Sequence, residues 1–129
     1  MPQGRRVLDK SEPEQEPVPI LSQDSAALIA RTMRRVVTNG TAARILGGVS
    51  PPIAGKTGTA EVQGKRSHSW FIGFTPYGSG GRKIAFAVIV EHGGYGGRLA
   101  AQASGEIVQA AAKLGLIGSP EPAVSEERE

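Results

Sequence analysis

Cysteine is absent from the 129 residues. Disulfides and thiolate metal sites are therefore excluded, and cysteine usage leaves the redox compartment open. His68 and His92 stand without cysteine or a carboxylate cluster, so neither a metal nor any other cofactor is expected. Long apolar runs are missing too; none approaches the ~18 residues of a membrane-spanning helix. Met1-Pro2-Gln3 leads into charged residues, not an apolar stretch, so no signal peptide is expected in this chain. Aromatic residues are scarce at 5%, leaving little for stacking on bases. Charge of one sign does not dominate. The net charge is +3, and the basic residues are scattered as Arg31, Arg34 and Arg35, Lys65 and Arg66, and Arg82 and Lys83. They read as a solvated basic surface, and no nucleic-acid partner is expected, although a non-catalytic basic binding module stays open as an alternative.

What is present suffices for one small domain. Residues 1–19 are rich in charge and proline, and residues 119–129 hold two prolines and four glutamates. Both segments offer too little apolar surface to offset ordering entropy and are expected to be disordered tails. Residues 20–118 are left to form the core.

Within them, Ser22 to Asn39 reads as a helix. Ser22 is its N-cap, Asp24 suits the first turn, and Asn39-Gly40 stops it. Ala26, Ile29, Met33, Val36 and Val37 share one face, with Arg31, Arg34 and Arg35 expected in solvent on the other. Thr41 to Val49 is either a short helical turn or a loop. Pro51-Pro52 then favours an extended chain. Ile53 to Val62 reads as a strand in which Gly55 and Gly58 suggest close approach by a backbone or a ligand. A turn at Gln63-Gly64-Lys65 leads to a second strand, Ser69 to Thr75. Here Trp70 is expected to pack in the core rather than touch a ligand. After the glycine-rich loop Pro76 to Gly81, Ile84 to Val90 is apolar at every position, which predicts a strand buried on both faces. Gly93 to Gly97 reads as a flexible connector that could border a substrate groove. A second helix, Leu99 to Leu114, should bury Ala100, Ala103, Ile107, Ala111 and Leu114, with Gly115 as its C′ residue. Short loops make the strands an antiparallel meander. The expected class is α+β, a three-stranded meander flanked by N- and C-terminal helices.

One short motif carries chemistry. Gly55-Lys56-Thr57 could end a phosphate-binding loop, but that motif needs glycine where Ser50 stands and a helix where Gly58-Thr59-Ala60-Glu61-Val62 follows. Lys56-Thr57-Gly58 fits a different pattern, the Lys-Thr-Gly triplet at the start of an active-site strand. Ala54 to Glu61 resembles the active-site strand of class B penicillin-binding proteins. His68 to Pro76 resembles the aromatic strand after it, and Ile84 to His92 with its glycines resembles the last strand and loop. Leu21 to Ala42 resembles the preceding helix with its Gly-Thr-Ala turn. The resemblance covers about residues 20 to 117, in the family's order.

The resemblance implies part of a peptidoglycan D,D-transpeptidase that cross-links stem peptides by serine acyl transfer and is acylated by β-lactams. A D,D-carboxypeptidase or a serine β-lactamase relative shares the triplet and remains an alternative. Such acyl transfer needs an activated serine, an oxyanion hole and an anchor for the terminal carboxylate. Lys56 would place a positive charge beside the anionic end of the substrate and share protons with a neighbouring hydroxyl. Thr57 and Thr59 would offer hydroxyl donors to that carboxylate. Gly58 would let substrate lie close against the strand. By the resemblance, the backbone N–H of Thr59 is one oxyanion donor. Lys56 and Thr59 are thus the catalytic expectations, and Lys56, Thr57, Gly58 and Thr59 the substrate-binding ones.

The sequence departs from the family in one respect. No serine is followed by lysine three residues later, and no Ser-x-Asn element occurs. The family places both upstream of the Lys-Thr-Gly strand and builds a five-stranded sheet whose first two strands precede the nucleophile. The chain is therefore expected to be a piece of a longer reading frame and inactive alone, with the N-terminal part of the same domain as its missing partner. The full-length protein would work at the outer face of the bacterial cytoplasmic membrane or in the periplasm.

Overall fold

The computed structural model describes residues 16–78 and 81–118. Of the expected disordered tails, residues 1–15 and 119–129 lie outside the described residues; Glu16 to Pro19 is exposed and carries no regular structure. The order of elements is α1 (Gln23–Thr38), α2 (Ala43–Leu46), β1 (Ala54–Val62), β2 (Lys65–Thr75), β3 (Ile84–Val90), a 3-10 turn (Tyr95–Gly97) and α3 (Arg98–Lys113). The three strands form one antiparallel sheet in the order β1-β2-β3, an α+β arrangement as expected.

The helix ends follow local chemistry. Ser22 caps α1, its hydroxyl accepting from the Ser25 N–H at 3.1 Å. Gly115 closes α3 with φ +68°. Its N–H reaches the Ala112 carbonyl while Leu116 N–H reaches that of Ala111, both at 3.0 Å, the paired bonds of a Schellman ending. Thr41 to Val49 resolves into a turn followed by the one-turn helix α2. Strand β2 starts at Lys65, four residues before Ser69, because a tight Gln63-Gly64 turn with Gly64 at φ +71° pairs Lys65 with Val62.

One core cluster joins Val37 of α1, Leu46 of α2, Phe71 of β2 and Ala100, Ala101 and Val108 of α3. It lies on the Phe71 side of the sheet, where β3 contributes Phe86 and Val88. Among the described residues, nothing covers the other face. Ile72 and Ile89 there are 49% and 43% exposed. This corrects the expectation for β3. Its residues alternate between half-buried (Ile84, Phe86, Val88, Val90) and exposed (Ala85, Ala87, Ile89), because the described helices cover only one face.

The helix faces also differ from expectation. In α3 the buried residues are Ala100, Ala101, Ser104, Gly105 and Val108, while Ile107 is 48% and Leu114 73% exposed. Small side chains let the helix approach closely: a Cβ on Gly105 would lie 3.0 Å from Leu46 Cδ2. A stripe chosen by large apolar residues is therefore rotated from the one that packs. In α1, Ala26 and Ile29 are exposed and only Val37 is fully buried. Arg34, expected in solvent, is half-buried. Its guanidinium donates to the Ile53 carbonyl at 2.6 Å and sits 6.0 Å from the Tyr77 ring centroid.

Candidate active-site strand

Strand β1 presents Lys56-Thr57-Gly58-Thr59 with β2 along one edge and, among the described residues, no strand along the other. Side chains alternate across it. Lys56 lies opposite Ile72 and Gly58 opposite Trp70, so both belong to the open face. Thr57 lies opposite Phe71 and Thr59 opposite Ser69, on the helix side.

Lys56 is exposed, and its ammonium donates to the Thr57 carbonyl at 2.8 Å. An ammonium has three donors, so two remain for a ligand. Gly58 lies close to one neighbour: an added Cβ would meet Trp70 Cβ at 3.3 Å, tighter than ordinary contact. Trp70 itself is half-buried and stands on the open face, away from the core where it was expected. Gly55, by contrast, is filled by protein. A Cβ there would lie 2.5 Å from the Ile72 carbonyl oxygen and 2.6 Å from Phe71 Cε1. The two glycines expected to mark close approaches both meet the next strand, Gly55 severely and Gly58 by the Trp70 Cβ alone.

Both threonines are fixed by elements distant in sequence. Thr57 Oγ1 and Thr41 Oγ1 are 2.9 Å apart, and Thr59 Oγ1 accepts from the Gly96 N–H at 2.9 Å. Accepting leaves the hydroxyl hydrogen of Thr59 free to donate to an anion. The Gly93–Gly97 segment therefore borders this strand. Gly97, with φ +64°, is buried against it, and a Cβ there would lie 2.7 Å from Thr57 Cβ and 2.7 Å from the Trp70 carbonyl oxygen.

The start of α3 is tied down as well. Its N-cap position is Gly97 and supplies no side-chain acceptor. Buried Ser69 serves instead, its Oγ accepting from the Ala100 N–H at 3.1 Å. Ahead of the glycine segment, His92 N–H donates to His68 Nδ1 and His92 Nδ1 donates to the Arg66 carbonyl, both at 2.9 Å. The histidines thus clasp the end of β3 to the start of β2, and no cluster of metal-ligating side chains forms among the described residues. Sequence reasoning put Lys56 to Thr59 on a strand, where β1 has them, but did not foresee the contacts of Thr41, Ser69 and Gly96. Contacts so distant along the chain leave no local pattern.

A family model described as the penicillin binding protein transpeptidase domain matches residues 4–109. The chain belongs to the penicillin-binding protein transpeptidase family. The fold agrees. The crystal structure of Pseudomonas aeruginosa PBP2 in complex with WCK 5153 is similar with a TM-score of 0.63 and 34% sequence identity over 77% of this chain. The chain spans 22% of the length of that penicillin-binding protein. No curated protein matches it. Among the described residues, no helix is long and apolar enough to cross a membrane.

Proposed function

We propose that residues 20–118 form the Lys-Thr-Gly wall of the active site of a class B D,D-transpeptidase. The full-length protein would cross-link peptidoglycan stem peptides on the outer face of the bacterial cytoplasmic membrane or in the periplasm, and bind β-lactams. One observation carries this reading: in a chain of this family, Lys56 and Gly58 lie on the open face of a strand that, among the described residues, has no neighbour along one edge.

Each residue then has a role. An extended stem peptide would add to the free edge of β1 as a strand, its backbone pairing there. Lys56 would supply charge next to the acyl-accepting serine and exchange a proton with its hydroxyl. Thr59 would donate its free hydroxyl hydrogen to the terminal carboxylate, while its backbone N–H supports the developing oxyanion. Thr57, braced by Thr41, would be a second hydroxyl contact. Gly58 would keep the approach clear. The serine and its lysine base would come from the preceding part of the same domain.

Two measurements test this. In-frame translation upstream of Met1 should yield a Ser-x-x-Lys motif; its absence removes the reading. In the full-length protein, Lys56→Ala should slow acylation by benzylpenicillin at least ~100-fold, as for loss of a proton-transfer partner. An unchanged rate takes Lys56 out of the site. WCK 5153 is a second probe, given the relative solved with it.

A further inference from the structure

Beside strand β1, Thr41, Arg44, Ile45 and Arg98 line a cleft of about 350 Å³. Its size is that of a small-ligand site. Two helices far apart in sequence supply its charge, Arg44 from α2 and Arg98 from the first position of α3. Both side chains are exposed, and no acidic residue lines the cleft among the described residues. Arg34 and Arg66, by contrast, are engaged, one on the Ile53 carbonyl and the other against Gly94. Ile45 is half-buried and gives the cleft an apolar wall. Two guanidinium groups, a hydroxyl and a short apolar wall suit a carboxylate on an aliphatic stem. Thr41 joins the cleft to the strand, since its hydroxyl is 2.9 Å from that of Thr57.

We infer that this cleft takes a second carboxylate, carried by the acceptor strand of the cross-linking reaction. The inference rests on the proposed function, in which Thr57 and Thr59 hold the terminal carboxylate of the donor. The donor's terminal residue leaves once the serine is acylated. The acceptor amine then attacks from the place the leaving amine held, because deacylation by an amine is acylation in reverse. Its nitrogen bonds the acyl carbon, the serine ester C–O bond breaks, and the surplus amine proton returns to the serine oxygen. A carboxylate next to the acceptor amine thus falls on Thr57 and Thr59. The rest of the acceptor extends past Thr57 toward Thr41, where Arg44 and Arg98 receive a further acidic group. The donor's own chain runs along the edge of β1 on the other side of the scissile bond, so the cleft reads the acceptor alone.

D-glutamate and D-glutamine differ as acceptors in charge but barely in size. In the full-length protein with a stem-peptide donor, the KM for D-glutamate should be about tenfold below that for D-glutamine, as for two exposed ion pairs. Combining Arg44→Gln with Arg98→Gln should bring the two KM values together. Combining Arg44→Lys with Arg98→Lys keeps the charge and should keep part of the difference. A ratio cancels any general loss of activity, and circular dichroism verifies the fold. Equal KM values in the parent overturn the inference, and so does a ratio that survives in the glutamine variant. In the 129-residue chain, glutarate should shift the Arg44 and Arg98 Nε–H NMR signals more than glutaramate does. No shift at either arginine overturns the inference too. Failure of benzylpenicillin to acylate the full-length protein would sink the proposed function itself, and the acceptor site with it. Glutarate shifts in the chain would then report an adventitious ion only.

Discussion

The Thr41 and Thr57 hydroxyl oxygens stand 2.9 Å apart, joining the turn after α1 to the middle residue of Lys-Thr-Gly. The contact is exposed, so its net worth is that of an ordinary hydrogen bond, about 1 kcal/mol. Thr41→Val and Thr57→Val should each lower unfolding free energy by about that amount in urea titration. The double variant should cost less than the two losses added together. Strict additivity would show that the two hydroxyls do not interact.

Ser69→Ala should cost more, although it removes one atom. The Ala100 N–H would lose its acceptor inside the core, and an unsatisfied buried donor costs about 1–3 kcal/mol. Faster amide exchange at Ala100 should accompany the loss. A change within a few tenths of a kcal/mol would mean that another acceptor replaces Ser69.

At Gly97 two penalties coincide. Its φ of +64° costs a side-chain-bearing residue about 1–2 kcal/mol, and the new Cβ would press on Thr57 Cβ and the Trp70 carbonyl. Overpacking of that kind adds about 1–3 kcal/mol. Gly97→Ala should therefore destabilise the chain by roughly 2–5 kcal/mol and shift the NMR signals of Thr57. A stable variant with unmoved Thr57 signals would mean that the segment is not seated on β1.

Incubated with benzylpenicillin, the 129-residue chain should gain no covalent adduct, since no serine in it has lysine three positions on. Intact-protein mass spectrometry reads this directly. A stoichiometric gain mapped to a serine would reveal a nucleophile outside the family's motif.

The fold was legible where signals are local. Ser22 and Asn39-Gly40 framed α1 to within a residue, and Ile84–Val90 matched its strand at both ends. Lys56 to Thr59 stood out because a short motif lay within a run resembling one family. Burial was not legible to the same degree. Apolar content alone could not tell that β3 is covered on one face, since cover depends on what stacks above it. In α3, packing selected alanine, serine and glycine for close approach, whereas hydropathy favoured Ile107 and Leu114. Arg34 looked like any surface arginine until Ile53 supplied a carbonyl from across the turn.

The one-sided cover of the sheet divides a uniform stretch of letters into two populations under different selection. A saturation scan across Ile84–Val90, read out by soluble yield, should tolerate polar residues at Ala85, Ala87 and Ile89. It should reject them at Phe86 and Val88, which pack against the core. All seven side chains are apolar. Tolerance with a period of two would set them apart, and would also point to where solubility could be raised without disturbing the packed face.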